Sequence, residues 1–376
     1  MKKDISTIWD PRVEVPSRDT VVILKDVELI TIKPYDPEVD GYHFHHGAAI
    51  FQHHGTMFCS IGANKGVENT VGETAIVFQS VDGGRSWSNA QEICPPERHT
   101  GISHGVFLEK DGELWAFHAQ FGDIRELPTG PNSGRSFNNN FPGLVMKALR
   151  LNERTNAWID EGVAADNIWP NREPVLMDNG KWFVSGMSRD FLASTAVSNG
   201  DDLMKWEATP TPLGTMRANE AAAWVDGANI TLVMRNHTPS NPSTSRAAVS
   251  VSVDFGRTWR MAVESNMPLT IAKPYCGTLS TGQRYLVGNS VTDHENKRRY
   301  LTVAVSRRGE QRLSCMFLIR DVGLQPSPRG KADVKAVCYP HAIEMNGSLY
   351  VAHSAGRGHN LNNIDLAIVP VDALIV

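Results

Sequence analysis

Six short segments of this chain place polar or titratable side chains directly before apolar stretches that are typical of β-strands. Their residue types suit acid–base chemistry on an anionic ligand, because histidine exchanges protons near neutral pH and arginine binds carboxylates through paired hydrogen bonds. Six such segments together favour a shared binding site over solvated strand ends. The segments are His45-His46-Gly47, Ser103-His104-Gly105, Asn171-Arg172-Glu173, Asn219-Glu220-Ala221, Pro274-Tyr275-Cys276 and Tyr339-Pro340-His341.

A repeated pair of strands predicts how these segments are brought together. Six times, a short apolar strand is followed by a glycine turn and a second apolar strand, at intervals typical of propeller blades. Because the first strand of each blade lines the central channel of a propeller, the polar segments should meet at its mouth. We expect an all-β, six-bladed β-propeller of four-stranded antiparallel blades, with seven blades as the alternative. The turn glycines are Gly55, Gly112, Gly180, Gly227, Gly282 and Gly347.

Two octapeptides support the repeat architecture. Residues 80–87 and 252–259 share the pattern S-x-D-x-G-x-T/S-W. The Asp and Ser/Thr side chains can hydrogen-bond the turn backbone, the glycine supplies a positive φ, and the tryptophan packs between blades. We expect both octapeptides to brace turns on the face opposite the mouth, without a part in any reaction.

The repeats run along the chain without a linker, so residues 1–376 are expected to form a single domain. An apolar strand within residues 21–32 precedes the first hairpin and should close the ring as the outer strand of the last blade. The irregular stretch from Gly122 to Pro142 is expected to be a loop rather than a linker, and loops of this length are usually functional or disordered.

Composition excludes several classes of protein. The net charge of −4, with 41% hydrophobic and 21% charged residues, gives no reason to expect nucleic acid or a membrane as partner. Five cysteines without C-x-x-C spacing argue against a disulfide framework and a cysteine-based zinc site.

The histidines do not predict a metal site either. His45 and His46 should point to opposite strand faces, and His53 and His54 should be solvated in a turn on the far face. We therefore assign no metal and no cofactor.

The N-terminus, which begins Met1-Lys2-Lys3, lacks the long apolar segment of a secretory signal. We expect a cytoplasmic protein, or a periplasmic or secreted one whose signal has been removed.

The octapeptides resemble the Asp-box, or BNR repeat, of sialidase-like β-propellers. The stretch from Asn219 through Arg235 to the second octapeptide is similar to the sialidase pattern of a catalytic glutamate and a carboxylate-binding arginine. The segments around Arg298 and Tyr339 resemble those that carry a further arginine and the nucleophilic tyrosine. The resemblance implies an exo-glycoside hydrolase that removes a terminal acidic sugar, with Tyr339 as nucleophile and Glu220 as its base.

The first blade departs from this pattern. Sialidases carry Arg-Ile-Pro where this chain has His45-His46-Gly47, and their acidic aspartate has no counterpart; Glu68 is the nearest acid. His46 or Glu68 is therefore the expected general acid, and the departure points to an acidic sugar other than sialic acid. Expected substrate-binding residues are Arg235, Arg298, Arg172, Arg217, His45, His104, Asn171, Tyr275 and His341.

Two alternatives remain open. The paired histidines, the stretch from Trp169 to Pro174 and the Tyr339-Pro340-His341 segment resemble propeller enzymes acting on rhamnose–uronate glycans, some of which are β-eliminating lyases. In that reaction His46 or Tyr339 would remove the proton next to a uronate carboxylate neutralised by Arg235 or Arg172. The other alternative is a non-catalytic glycan-binding propeller. In every case the expected partner is an acidic oligosaccharide or polysaccharide, and the oligomeric state stays open.

Overall fold

The computed structural model describes residues 6–70, 72–97, 99–122, 141–238, 245–291, 298–357 and 361–376. The first strands in the chain are Val22–Ile23 (β1) and Glu28–Lys33 (β2), followed by a four-residue helix, Pro37–Asp40 (α1). The last element is a 3-10 helix at Val371–Leu374. Among the described residues, neither helix is long or apolar enough to cross a membrane.

The strands form six sheets, which we number as blades I to VI in chain order. Blade I contains Phe44–His53 (β3), Thr56–Asn64 (β4), Thr74–Ser80 (β5) and Gln91–Cys94 (β6). Blade II contains Gly101–Lys110 (β7), Glu113–Phe121 (β8), Val145–Asn152 (β9) and Ala157–Asp166 (β10). Blade III contains Trp169–Pro170 (β11), Val175–Leu176 (β12), Trp182–Met187 (β13), Ala193–Asn199 (β14) and Asp202–Pro210 (β15).

The second half of the ring repeats this arrangement. Blade IV contains Ala218–Asp226 (β16), Asn229–Asn236 (β17), Arg246–Ser252 (β18) and Val263–Pro268 (β19). Blade V contains Tyr275–Thr278 (β20), Arg284–Gly288 (β21), Tyr300–Ser306 (β22) and Leu313–Asp321 (β23). Blade VI contains Ala336–Met345 (β24), Ser348–Gly356 (β25) and Asn363–Pro370 (β26).

The six-bladed, all-β propeller predicted from the sequence is confirmed, and the seven-bladed alternative is wrong. Two blades depart from four simple antiparallel strands. In blade III the innermost strand is split into β11 and β12, which pair separately with β13; Pro174 lies in the break and has no N–H to donate. In blade V, β1 adds a fifth strand parallel to β23.

The N-terminal strand β2 is the outer strand of blade VI. It pairs antiparallel with β26, from Glu28 opposite Ile368 to Lys33 opposite Ile364. Apolar side chains fill the space between neighbouring blades; Ile50 of blade I, for example, shares one core with Leu366 of blade VI. The last sheet therefore contains strands from both ends of the chain and leaves no open edge between them.

Both octapeptides lie at the end of the blades opposite the start of the inner strands, as predicted. In the first, Asp82 Oδ1 accepts hydrogen bonds from the backbone N–H groups of Arg85 and Ser86 at 3.0 and 2.9 Å. Gly84 has φ +88°, and Trp87 Nε1 donates to its carbonyl at 2.8 Å. Because Ser80 pairs with Met57, next to the β3–β4 turn, the octapeptide shares a face with the hairpin turns. It braces the turn through local contacts.

The expected loop between Gly122 and Pro142 is described only at its ends, because residues 123–140 lie outside the described part of the chain.

Candidate functional site

The inner strands of blades I, II, IV and VI each contain a β-bulge near their first residues, in β3, β7, β16 and β24. Bulges re-aim side chains and are common beside active sites. In β16 the bulge places Glu220 at φ +37°, and in β24 it places Tyr339 at φ +58°. Among the described residues, these are the two non-glycine positions inside strands with positive φ. The strained backbone marks both residues as functional candidates.

These two residues contact each other across the ring. The Tyr339 hydroxyl donates to Glu220 Oε1 at 2.5 Å, and Arg235 Nη1 donates to Glu220 Oε2 at 2.6 Å. The same Arg235 nitrogen lies 2.7 Å from the Tyr339 oxygen. Asn219, one residue before Glu220, pairs with Arg235 in the sheet, so β16 and β17 fix this part of the arrangement. All three side chains are buried.

The electrostatics favour an ionised Glu220 carboxylate and a protonated Tyr339 phenol. Burial raises the pKa of Glu220, but Arg235 outweighs this effect and holds the pKa below its ordinary value. Burial raises the pKa of Tyr339 well above its ordinary value; the neighbouring Glu220 carboxylate adds to this, while Arg235 opposes it. A carboxylate and a neutral phenol within hydrogen-bond distance are the arrangement of a general base and the nucleophile it activates.

Further cations surround the Tyr339 ring. The Arg298 guanidinium lies 5.6 Å from the ring centroid and donates to the carbonyl of Ile271 at 2.9 Å. The Lys273 ammonium lies 5.9 Å from the same centroid, and burial lowers the pKa of Lys273 to about 8. Together with Arg235, these groups give the mouth an excess of positive charge beside the Glu220 carboxylate. Such a surface favours an anionic ligand.

Glu68 lies on the loop between β4 and β5 and is half-buried. Burial has the largest effect on the pKa of both Arg235 and Tyr339, lowering the first and raising the second. Glu220 raises both pKa values, and the Glu68 carboxylate makes a smaller contribution in the same direction. Glu68 is thus an acidic side chain of blade I that lies near Tyr339 and Arg235.

His46 packs against the tyrosine. Its ring centroid lies 4.0 Å from that of Tyr339, and its Nδ1 lies 2.8 Å from Ser354 Oγ. Gly47, the next residue, has φ +70° and faces the ring of His104; a Cβ on Gly47 would lie 2.3 Å from that ring. Glycine is therefore required where blades I and II meet at the axis.

A second buried polar cluster lies beside the first. Tyr275 donates to Glu173 Oε2 at 2.6 Å, His341 Nε2 lies 3.4 Å from the same oxygen, and Arg172 Nη2 lies 3.5 Å from Oε1. Burial raises the pKa of Glu173, but Arg172 and His341 outweigh it and lower the pKa to about 2. This cluster joins blades III, V and VI across the channel, and Arg172 Nε and Nη1 have no hydrogen-bond partner among the described residues.

Comparisons with known proteins agree with the propeller fold. Residues 168–351, just under half of the chain, match the family model of the BNR repeat-like domain. No curated protein matches the chain.

Among solved structures, the propeller is similar to a protein of unknown function from Dyadobacter fermentans, with a TM-score of 0.64 and 14% identity over 92% of this chain and 100% of that one. It is also similar to the NanB sialidase of Streptococcus pneumoniae, with a TM-score of 0.63 and 10% identity over 88% of this chain and 69% of that one. For the Trypanosoma rangeli sialidase the TM-score is 0.62 at 13% identity, over 93% of this chain and 60% of that one. At these identities the likeness shows a shared fold.

The structure brings together several of the residues singled out in the sequence and leaves others apart. One group consists of Tyr339, Glu220, Arg235, Arg298 and His46, with Glu68 at its edge. The Glu173 cluster contains Arg172, Tyr275 and His341.

His45 takes the other face of β3, as expected from strand alternation, and its ring faces away from the tyrosine group. It stands beside Tyr35 and Tyr42 and contacts the carbonyl of Asn362. Arg217 is exposed. Asn171, Asn219 and His104 are buried at the axis, and each has side-chain nitrogen or oxygen atoms without a hydrogen-bond partner among the described residues. Such atoms are available to the hydroxyl groups of a ligand.

The sequence patterns did not indicate Lys273 or Glu73, and Glu173 was named only as part of its segment, without a role. Glu173 follows Arg172, and Lys273 precedes the Pro274-Tyr275 pair. A charged residue directly before an apolar strand could therefore have indicated both. Glu73, at the start of β5, is buried under the Glu68 loop and accepts a hydrogen bond from the backbone of Asn69 at 2.6 Å. The solvated turn predicted for His53 is also wrong, since His53 is buried while His54 is exposed.

Proposed function

We propose that this protein is a glycoside hydrolase that removes a terminal acidic sugar, of the sialic- or uronic-acid type, from a glycan. One observation carries the proposal: the Tyr339 hydroxyl lies 2.5 Å from a buried carboxylate, Glu220, and 2.7 Å from a guanidinium nitrogen of Arg235. The likeness of the fold to two sialidases supports it.

The reaction proceeds in two steps. In the first, the Tyr339 oxygen attacks the anomeric carbon while its proton passes to Glu220, and the bond to the departing glycan breaks. A neutral phenol suits this task, because a carboxylate nucleophile would be repelled by the carboxylate of the sugar. In the second step, water attacks the glycosyl-tyrosine, gives its proton to a neighbouring base and releases the sugar, and the proton on Glu220 returns to the tyrosine.

The departing oxygen needs a proton, and Glu68 is assigned as its donor. Glu68 is half-buried on a loop at the mouth and acts electrostatically on Arg235 and Tyr339. His46 is the alternative donor, but its ring is buried against the tyrosine and its Nδ1 faces Ser354. A residue at the mouth reaches the leaving group more directly than one beneath the nucleophile.

The expected substrate is anionic. Arg235, Arg298 and Lys273 place three cationic side chains around Tyr339. Arginine binds a sugar carboxylate through two parallel hydrogen bonds. The buried polar atoms of Asn171, Asn219 and His104 that have no partner in the described part of the chain would meet the sugar hydroxyls.

The test is a panel of sialosides and uronate glycans incubated with the full chain, with sugar release measured by chromatography. Tyr339→Phe should lower kcat by about 100-fold or more, because it removes only the nucleophilic oxygen. Tyr350→Phe is the matched control, since it removes the hydroxyl of another buried tyrosine, in the core between blades VI and I. Full activity of Tyr339→Phe would refute the proposed mechanism.

A second measurement separates hydrolysis from elimination. A lyase would form an unsaturated uronate, detected by its ultraviolet absorbance, and His46→Ala would then be more damaging than Tyr339→Phe. Absence of both sugar release and unsaturated product, together with saturable glycan binding, would instead indicate a binding propeller.

The assignment of Glu68 has its own test. Glu68→Gln should slow cleavage of a natural glycan strongly, but should spare an aryl glycoside whose leaving group departs without a proton. His46→Gln should slow both substrates alike. The reverse pattern would make His46 the acid.

A further inference from the structure

We propose that the face opposite the mouth carries a zinc site formed by His53, His54 and Glu109, with Glu153 as an outer carboxylate. His53 ends β3 and His54 lies in the following turn, whereas Glu109 lies in β7 and Glu153 in the turn after β9. The cluster therefore joins blades I and II. It lies at the other end of β3 from His46, on the order of 20 Å away along the strand.

The four side chains already contact one another. His53 Nδ1 lies 2.7 Å from Glu109 Oε2, and His53 Nε2 lies 2.7 Å from Glu153 Oε1. His54 Nδ1 lies 3.2 Å from the same Glu153 oxygen. Potential ligand atoms of His53, His54 and Glu109 all lie within 4.8 Å of one another.

The backbone explains how two consecutive histidines reach the same place. Side chains of neighbouring strand residues normally point to opposite faces. His54, however, is in the left-handed region at φ +47°, and its ring stacks on that of His53 at a centroid distance of 3.9 Å. The turn therefore places the imidazole rings of His53 and His54 on the same side of the strand.

The donor set matches zinc. Zinc binds imidazole nitrogen and carboxylate oxygen, and sites with three protein ligands complete their coordination with water. A metal-bound histidine usually gives its other ring N–H to a carboxylate, which fixes the ring. With Glu109 on one nitrogen of His53 and Glu153 on the other, one carboxylate can share the metal while the other supplies that outer contact.

The local charge also favours a divalent cation. The carboxylates of Glu109 and Glu153 both lie within hydrogen-bond distance of the His53 ring. The neighbouring Lys110 does not neutralise them, because its ammonium bonds to Asp201 at 3.1 Å. The His53 side chain is 2% exposed and rigidly held, whereas those of His54 and Glu109 are 58% and 42% exposed and leave an entry path.

The experiment is a calorimetric titration of the full, EDTA-treated chain with zinc chloride. We expect one zinc ion per chain, and a dissociation constant that rises about tenfold or more in His54→Ala and in Glu109→Gln. Both replaced side chains are partly exposed, so folding should survive. His99→Ala is the matched control, because His99 is another exposed histidine with positive φ, +64°. It should bind zinc as the unchanged protein does.

A second readout tests the ligand types. Cobalt(II) bound in place of zinc should give the spectrum of nitrogen and oxygen ligands without a thiolate charge-transfer band. Such a band would place the metal at a cysteine and overturn the proposal. So would the lack of one-equivalent zinc binding, or equal affinity in His54→Ala, Glu109→Gln and the unchanged protein.

Discussion

Replacing Glu73 by glutamine should remove a large pH dependence of folding stability. Glu73 is fully buried, its Oε2 accepts the Asn69 N–H at 2.6 Å, and burial raises its pKa from 4.5 to about 8. Because the folded pKa exceeds the unfolded one, the folded chain keeps a proton that the unfolded chain loses above about pH 4.5. The contribution of Glu73 to stability is therefore full in acid and is lost as pH rises towards 8.

The magnitude follows from the two pKa values. At 1.36 kcal/mol for each pH unit, the difference between 4.5 and about 8 corresponds to on the order of 5 kcal/mol, of which about 3 kcal/mol falls between pH 5 and pH 8. Glutamine has the same shape, keeps an oxygen for the Asn69 N–H and does not titrate. The variant should therefore gain stability relative to the unchanged protein as pH rises.

The assay is denaturant unfolding followed by tryptophan fluorescence at pH 5, 6.5 and 8. The difference in unfolding free energy between Glu73→Gln and the unchanged protein should grow by about 3 kcal/mol across this range. Equal pH slopes for Glu73→Gln and the unchanged protein would show that the buried carboxyl ionises normally, and would refute the reasoning.

Three further changes test the site and its scaffold. If Arg235 binds the sugar carboxylate as proposed, Arg235→Lys should raise KM about tenfold, because an ammonium cannot replace the planar guanidinium fork; steady-state kinetics on the released sugar measure this. Asp254→Ala should lower the free energy of unfolding by about 1 kcal/mol without changing turnover per folded molecule, since it removes the bond to the Thr258 N–H in the second octapeptide. Gly47→Ala should destabilise the chain by about 2 kcal/mol in a thermal melt, because its Cβ would meet the His104 ring.

The fold could be predicted because its signals are local. Each glycine turn joins the first two strands of a blade, and each Asp-box is closed by its own backbone and side chains, as in the Asp82 contacts. The parallel pairing of β1 with β23 could not be predicted, because only the assembled ring brings Val22 beside Phe317. Pro174 could have indicated the break in the inner strand of blade III, because proline has no N–H to donate, but a single proline is a weak indication.

The candidate site was predictable only in part. Tyr339, Glu220 and Arg235 came from the resemblance to sialidases and do meet at the axis. Whether a charged residue is buried depends on packing between blades, which strand patterns do not reveal. Glu73 and Lys273 were missed for this reason, although burial shifts the pKa of each to about 8.

The backbone of the tyrosine–glutamate pair links the fold to the proposed chemistry. Elsewhere in the described chain, non-glycine residues with positive φ lie in turns and loops, such as Asp111 and Asn346 in hairpins. Glu220 and Tyr339 adopt it inside strands, at bulges on blades IV and VI, at a cost of about 1–3 kcal/mol each. In a regular strand these two side chains would point in other directions than the bulges give them. The two bulges therefore hold the Tyr339 hydroxyl beside the Glu220 carboxylate without a ligand, which is the preorganisation that the proposed mechanism requires.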